Sequence, residues 1–176
     1  GRIPAFVYTQ NKNEILDLCI KKIEKTIGKL EYHNNYFYKT KRLYFPSSIS
    51  YVLYTHYGMK PEDFMEDNAK IPKEMLEKSQ EHLLAILIAF ILDEGHIDSS
   101  NIVIGLYNKS LILDIQFICN KLGYANVVSR DTKGRNYVYI LSEGVKKFWR
   151  DYIKLKETYP EIDLDYKEKF IQDFIL

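Results

Sequence analysis

The stretch that decides the fold is LIAFILDEG, at residues 87–95. Its first six residues are apolar, and its last three are two acids and a glycine. Ala85 and Ala89 lie four residues apart, so two small side chains share one helical face and let a second helix approach closely. Glu94-Gly95 stands where the helix should end, because glycine commonly follows the last helical turn. The stretch predicts a buried helix that ends on a carboxylate.

This helix is predicted to begin well upstream. After a polar, acidic connection at residues 60–70, the sequence IPKEML at 71–76 starts a helical pattern that continues to about residue 92. Pro72 suits the first turn of a helix, where its missing N–H is not needed. We therefore expect one continuous helix over residues 71–92.

An internal repeat organises the rest of the chain. The pattern Asn-Lys-x-x-Ile-Leu-Asp occupies residues 11–17 and recurs at 108–114. Each copy follows a short apolar run typical of a strand and opens a helix with Asn at its cap. These strand-and-helix pairs are predicted at 3–8 with 11–27 and at 102–107 with 109–122. The chain thus contains two related halves.

A pair of strands and a closing helix follow in both halves. Aromatic and β-branched residues alternate with polar ones over four segments, which favours strands. In the first half the strands cover 30–33 and 36–44 around a turn at Asn34-Asn35, and in the second half 125–130 and 136–141 around a turn at 131–134. Amphipathic helices are predicted at 48–57, 143–152 and, packing on the outside, 166–176.

The second half therefore contains helix, strand, strand, helix, strand, strand and helix. Shifting this order back by the repeat offset puts the leading helix of the first half before residue 1. We divide the chain into an incomplete first repeat at 1–59, an acidic linker at 60–71, a second repeat at 72–158 and a C-terminal helix at 159–176.

Residues 87–95 resemble the LAGLIDADG motif of homing endonucleases and related proteins. Glu94-Gly95 matches the family's final acid and glycine, residues 71–76 are similar to the entry of this helix in intein-associated members, and the order of elements is the family's repeat. The resemblance covers nearly the whole chain. It implies an α+β fold of tandem αββαββα repeats with antiparallel sheets forming a saddle, the first repeat being incomplete. Ala85 and Ala89 would then lie at the interface between motif helices.

The resemblance also implies a catalytic site. Glu94 transfers by position as the catalytic, metal-binding carboxylate, and the carbonyl of Asp93 would be a further metal ligand. Leu92 departs from the family, which usually has its first aspartate there. Lys41 resembles the basic residue that many members bring near the metal site, whereas Tyr139 stands in that neighbourhood of the second hairpin. Mg²⁺ ions held between carboxylates can activate water and stabilise the charge of phosphodiester hydrolysis.

Cleavage by this family needs one carboxylate from each of two motif helices, and the sequence contains Glu94 alone. Three explanations stay open: an upstream segment or another chain supplies the second motif helix, a homodimer supplies a second Glu94, or the site is degenerate. Magnesium is expected only if the protein is catalytic, and no cofactor otherwise. Whether the chain is an enzyme is left open.

The net charge of +1 hides a segregation of basic residues into the two predicted hairpins. A local basic patch matters more for phosphate binding than the total charge. The family reads DNA with outward strand residues, and the candidates for nucleic-acid binding here are Tyr36, Tyr38, Lys39, Lys41, Arg42, Arg130, Lys133, Arg135 and Tyr137. Double-stranded DNA is the expected partner, with RNA as the alternative, since tyrosines that stack on bases suit single strands.

Other functional classes are disfavoured. Cys19 and Cys119 are too few and too far apart for a disulfide framework or a zinc site, and we expect both to be reduced and buried. The longest apolar run, residues 83–92, is too short to span a membrane, so an intracellular, cytoplasmic protein is expected. The leading hypothesis is a DNA-binding protein similar to homing endonucleases that hydrolyses both DNA strands with Mg²⁺. The alternative is a non-catalytic transcription regulator or RNA maturase that has lost the cleavage site.

Overall fold

The computed structural model describes residues 7–10, 13–27, 31–35, 40–45, 47–64 and 68–175. The chain divides into two compact units, Gly1–Pro61 and Glu62–Leu176. Their boundary falls within the predicted acidic connection, and our finer division of the sequence into four segments stays a prediction.

The first unit contains an antiparallel sheet and two helices. In chain order its elements are β1 (Val7–Gln10), α1 (Asn13–Ile27), β2 (Glu31–Asn35), β3 (Thr40–Tyr44) and α2 (Ser47–Thr55). The sheet order is β1-β3-β2, so β3 is central, with Tyr44 opposite both Val7 and Glu31. Leu16 of α1 and Leu43 of β3 are fully buried. The order of elements agrees with the predicted incomplete repeat.

The turn predicted at Asn34-Asn35 is wrong. Both residues belong to β2, where Asn34 pairs with Lys41 and Asn35 pairs with Thr40. Asparagine favours turns because its side chain can bond to nearby backbone groups, but that preference is weak beside a continuous strand ladder. The described part of the second strand of this hairpin is Thr40–Tyr44, and residues 36–39 of the predicted strand lie outside the described residues.

The second unit contains the complete predicted repeat. Its elements are α3 (Lys73–Leu76), α4 (Gln80–Glu94), β4 (Gly95–Asp98), β5 (Asn101–Leu106), α5 (Lys109–Leu122), β6 (Asn126–Arg130), β7 (Asn136–Ile140), α6 (Ser142–Thr158) and α7 (Tyr166–Ile175). The strands form an antiparallel sheet of order β4-β5-β7-β6. From α4 to α6 the order is αββαββα, so the predicted α+β fold is confirmed.

The core of the second unit lies between one face of this sheet and its helices. Alternate residues of β7, among them Val138, are buried, and together with Ile104 of β5 they join one core with Leu87 and Ile91 of α4 and Ile115 of α5. Because strand side chains alternate between faces, one face of the sheet packs in the core and the opposite face points away from it.

The single helix predicted over residues 71–92 is wrong, since the structure has two helices there. α3 stops at Leu76, and α4 starts after Ser79, whose hydroxyl accepts a hydrogen bond from the His82 amide and lies 2.8 Å from His82 Nδ1. Serine is a strong N-cap, and capping restarts the helix at this position. α4 then continues to Glu94, where the motif predicted its end.

The repeated Asn-Lys-x-x-Ile-Leu-Asp pattern has a structural role in its second copy. Asn108 caps α5 by accepting from the Leu111 amide at 2.9 Å, and its amide group donates to the Ala69 carbonyl. Asp114 accepts from the Ile71 amide at 2.9 Å. Burial raises the pKa of Asp114 above its usual value, although the Ile71 amide and Lys70 oppose the shift. These bonds hold the segment before α3 against α5.

The cysteines and the C-terminal helix depart in part from prediction. Both cysteines are free thiols, but only Cys119 is fully buried, whereas Cys19 is half-buried. Burial raises the pKa of Cys119 to about 12. α7 does not simply lie on the outside, because Ile171 and Lys167 are buried. Within the described segments, no helix has the length and apolar character needed to cross a bilayer.

The two neighbouring apolar residues of the second repeat copy test this core. Ile112 is fully buried and Leu113 is 46% exposed. We expect Ile112→Ala to lower the free energy of unfolding by about 2–5 kcal/mol, because it leaves a cavity in the core. Leu113→Ala, the matched control, should change it by about 0.5 kcal/mol or less. Urea denaturation measures both, and similar losses for the two variants would contradict the packing of α5.

Candidate nucleic-acid interface

The motif helix passes directly into the sheet, with no loop between them. Glu94 is the last residue of α4, and Gly95 is the first residue of β4. A Cβ atom at Gly95 would lie 2.5 Å from the carbonyl oxygen of Ile91, so only glycine fits this path. The carboxylate of Glu94 is therefore held at the edge strand of the four-stranded sheet, with its side chain 39% exposed.

The sheet face opposite the core, which we call the outer face, is built by the register of its strands. Cross-strand partners lie on the same face, and alternate residues on opposite faces. The partners Val103, Tyr139 and Val127 therefore share this face with Gly105, Tyr137 and Ser129. His96, opposite Val103, belongs to it as well. The outer face thus carries aromatic, polar and small side chains beside two valines, of which Val103 is buried and Val127 is 47% exposed, whereas the face that forms the core is mainly apolar.

Gly105 shapes the centre of the outer face. A Cβ atom there would lie 2.7 Å from a ring carbon of Tyr137 and 3.0 Å from Nε of Arg135. Without that atom, the Tyr137 ring and the Arg135 side chain lie directly against the backbone of β5. Arg135 donates a 2.7 Å hydrogen bond to the Gly105 carbonyl, and its guanidinium lies 5.8 Å from the centre of the Tyr137 ring.

Arg135 also places the β6–β7 hairpin beside the Glu94 carboxylate. Its terminal nitrogen lies 3.9 Å from Oε2 of Glu94, and both side chains are 39% exposed. An ion pair at this exposure contributes little to stability, because water screens it. The ion pair instead fixes positions, because the Glu94 carboxylate, the Arg135 guanidinium and the Tyr137 ring form one cluster on the outer face.

Asp131 organises the turn between β6 and β7. Its carboxylate accepts from the amides of Lys133 and Arg135 at 2.8 and 3.0 Å, and from the Tyr137 hydroxyl at 2.9 Å. Desolvation raises the pKa of Asp131, but these hydrogen bonds outweigh it and hold the pKa below its usual value. The bond to Asp131 in turn raises the pKa of Tyr137. Gly134 completes the turn with a φ of +88°, which favours glycine.

The predicted binding residues fall into three groups. On the second hairpin, Arg130 and Lys133 are exposed, and Arg135 and Tyr137 are half-buried. Lys41 and Arg42 lie in β3, where Arg42 pairs with Thr9 and His33, but their side chains are outside the described part of the structure. Tyr36, Tyr38 and Lys39 lie outside the described residues altogether. The binding roles of all these residues stay predictions.

The predicted motif residues are all at α4. Asp93 and Glu94 are half-buried in its last turn, Ala85 is half-buried against the core, and Ala89 is exposed. The second unit thus leaves the small-residue face of α4 partly uncovered, as the prediction of a helix–helix interface requires. That interface itself stays a prediction.

A magnesium site can be tested against the donor groups that the second unit provides. Carboxylate and carbonyl oxygens, such as those of Glu94 and Asp93, are the ligands Mg²⁺ prefers. Within the part of the chain that the structure describes, however, no three acidic, histidine or cysteine side chains gather closely enough to hold a metal ion. The Arg135 guanidinium also lies beside the Glu94 carboxylate. These residues alone therefore do not fit a metal ion.

Comparison with known proteins places this geometry in a known fold. No protein-family model matches the chain, and no curated protein matches it. A structure of mesophilic variants of the homing endonuclease I-DmoI is 13% identical, with 96% of this chain and 83% of that chain covered and a TM-score of 0.61. I-DmoI in complex with DNA and Mn is 16% identical, covers 88% of this chain and 79% of that one, and has a TM-score of 0.53. The fold is that of I-DmoI, a LAGLIDADG homing endonuclease, as the sequence predicted.

Sequence reasoning missed the network around Asp131. It treated 131–134 as a turn and Arg135 and Tyr137 as independent contacts. The spacing of Asp131 and Gly134 was a usable signal, because an aspartate that accepts hydrogen bonds from its own turn is a common way to fix a hairpin. The approach of Arg135 to Glu94 had no such local signal, since the two residues are far apart in the chain.

The lowered pKa of Asp131 predicts a pH dependence of stability. The carboxylate contributes stability above its unfolded pKa of about 3.9, and this contribution is lost as pH falls through the lower folded pKa. Asp131→Asn should therefore be less stable than wild type near neutral pH, and the difference should shrink as the wild-type carboxyl group is protonated. Urea midpoints of both proteins at a series of acidic pH values test this. A difference that stays constant with pH would show that the charge of Asp131 is not involved.

Proposed function

We propose, from the I-DmoI fold, that this chain binds double-stranded DNA with the outer face of its four-stranded sheet. The observation that carries the proposal is the basic hairpin, in which Lys133 and Arg135 flank a turn held by Asp131, whereas Arg130 pairs with Asn136 and by register belongs to the other face of the sheet. I-DmoI itself has been solved in complex with its target DNA, which supports the same partner here.

Lys133 and Arg135 suit different contacts. Lys133 is exposed at the tip of the turn, and its ammonium group is suited to a phosphate as a point charge. Arg135 is held by the Gly105 carbonyl, the Tyr137 ring and Glu94, so its guanidinium loses little freedom on binding. Because Nη2 is bonded to the Gly105 carbonyl and Nε is buried, the guanidinium would contact a base edge in the major groove through its other terminal nitrogen. The hairpin therefore combines a phosphate contact with a base contact.

The geometry of Tyr137 favours duplex DNA over single-stranded nucleic acid. Recognition of single strands commonly uses aromatic rings with an open face on which bases stack. Two carbons of the Tyr137 ring lie against Gly105, the Arg135 guanidinium lies 5.8 Å from the ring centre, and the hydroxyl is bound to Asp131. The Tyr137 ring therefore stabilises the hairpin rather than stacking on a base. RNA binding, as in a maturase, is the weaker alternative.

DNA cleavage is the second candidate function, and the position of Glu94 favours it. The carboxylate ends the motif helix at the edge of the proposed DNA surface and is accessible to solvent. Structures of I-DmoI with DNA were solved with Mg, Mn or Ca, which is consistent with use of a divalent ion by that protein. Because the described residues of the second unit do not by themselves form a metal site, we propose Glu94 as one contributor to a site that takes further ligands.

The DNA-binding proposal predicts a specific dependence on salt. Affinity for a duplex library of randomised sequence, measured by fluorescence anisotropy without divalent ions, should fall linearly on a log–log plot against salt. Lys133→Ala should reduce the magnitude of that slope by about 0.9, the value for one lost phosphate contact on duplex DNA. Its turn should survive, because Asp131 bonds only the backbone amide of Lys133.

The matched control is Lys154→Ala, an exposed lysine on α6, whose helix packs on the opposite side of the sheet. It should leave the slope unchanged. Binding that does not respond to salt, or equal effects of the two substitutions, would rule out the outer face as the DNA surface. Tighter binding to single-stranded RNA than to duplex DNA would favour the alternative.

The cleavage candidate predicts a separate effect at Glu94. If the chain cuts DNA with Mg²⁺, Glu94→Gln should reduce the rate by at least about 100-fold, since loss of even an indirect partner of a metal costs roughly 10–100-fold. Glu143→Gln, an exposed acid on α6, is the control. Sequencing of library ends after incubation with Mg²⁺ measures cleavage. Activity that survives Glu94→Gln would remove this residue from the reaction, and a wild type without activity would leave the binding function alone.

A further inference from the structure

The end of the motif helix is held by a buried ammonium group from the C-terminal helix. Nζ of Lys167 donates hydrogen bonds to the carbonyl oxygens of Ile91, Leu92 and Gly95 at 2.6, 2.7 and 2.5 Å. Lys167 is only 6% exposed, and these acceptors lie 72 to 76 residues earlier in the chain. One side chain of α7 thus uses all three N–H donors of its ammonium group at the junction of α4 and β4.

The Lys167 ammonium group compensates for an unfavourable charge distribution at the end of α4. The carboxyl end of a helix has a partial negative charge, and cations stabilise it whereas anions do not. The last turn of α4 contains two acids, Asp93 and Glu94, and no basic residue. An ammonium group on the carbonyls of this turn opposes both the helix dipole and the acidic side chains. α7 supplies the cation that the motif helix does not contain.

α7 is itself anchored independently of Lys167. The neighbouring Glu168 accepts hydrogen bonds from the Tyr152 hydroxyl and from the Lys156 ammonium group of α6. Ile171, one turn further along α7, is fully buried. The bond to Glu168 raises the pKa of Lys156. Because α6 holds α7 through Glu168, the contact of Lys167 with α4 can be separated from the docking of the helix.

We propose that Lys167 is a positioning residue that fixes the end of the motif helix, and with it the Glu94 carboxylate beside Arg135 on the outer face. That this cluster matters for DNA binding rests on the proposed function, whereas its geometry does not depend on that proposal. Lys167 acts only through the backbone of residues 91–95 and touches no DNA in this role. The C-terminal helix is accordingly part of the candidate site.

Three variants separate positioning from simple support of the fold. Lys167→Met removes the ammonium group and keeps an unbranched apolar side chain of similar length. Glu168→Gln weakens the tie between α7 and α6 and leaves Lys167 in place. Lys169→Met removes an exposed lysine from the same helix and is the matched control. Glu94→Gln provides the reference for loss of the carboxylate charge beside Arg135.

The experiment records NMR spectra of the whole chain without DNA or metal. The readouts are the carbonyl ¹³C shifts of Ile91, Leu92 and Gly95 and the Nε–H signal of Arg135. Lys167→Met should move all three carbonyl shifts and displace the Arg135 signal in the direction seen with Glu94→Gln. It should also raise hydrogen exchange of the Gly95 amide by about 10-fold or more, through local opening. Glu168→Gln should lower the melting temperature without these changes, and Lys169→Met should match wild type.

The inference is overturned if Lys167→Met leaves the Arg135 signal in place, or moves it no more than Glu168→Gln does. If Lys167→Met does not fold, Lys167→Arg takes its place, because it keeps the charge but cannot give three bonds from one nitrogen. It should displace the Arg135 signal less than Glu94→Gln does, and an unchanged spectrum would again overturn the inference. Since no DNA is present, a wild type that binds no duplex refutes the proposed function and leaves this result unaffected.

Discussion

The packing of α4 against the four-stranded sheet is the constraint on which the rest of the second unit depends. Six apolar residues of this helix are buried, and its last residue is followed at once by the edge strand. Gly95 makes this passage feasible, because any side chain there would collide with the backbone of Ile91. One end of a core helix is thereby placed at the border of the outer face, and a carboxylate that belongs to an apolar segment becomes accessible.

The outer face depends on a second set of close approaches. Gly105 lets Tyr137 and Arg135 lie on the backbone of β5, and Asp131 holds the turn from which both side chains extend. Individually, exposed ion pairs and hydrogen bonds of this kind contribute little to stability. Together they restrict the Arg135 side chain, so a ligand that contacted it would cost less conformational entropy. These contacts therefore bear on the orientation of side chains on the outer face more than on the free energy of unfolding.

Much of the fold was predictable because its signals are local. Apolar periodicity identified α5, and alternation with turn residues identified β6 and β7 at nearly their observed bounds. The errors were local as well. Asn34-Asn35 was assigned to a turn although the ladder with β3 includes it, and residues 71–92 were assigned to one helix although Ser79 restarts it. At Asn34-Asn35 backbone pairing overrides the turn preference of the residues, whereas at Ser79 a side chain caps a new helix.

The sequence alone determined that the chain has the LAGLIDADG type of α+β fold, and that Glu94 ends its motif helix. Helical and strand periodicity and a glycine stop arise from neighbouring residues, and the repeat is a match between two segments of sequence, so all of them can be read along the chain. Tertiary structure alone decided what surrounds that carboxylate. Arg135 reaches it through strand register, and Lys167 reaches the same helix end across more than 70 residues of chain. Such contacts depend on how elements pack in space, and no pattern within a single element specifies them.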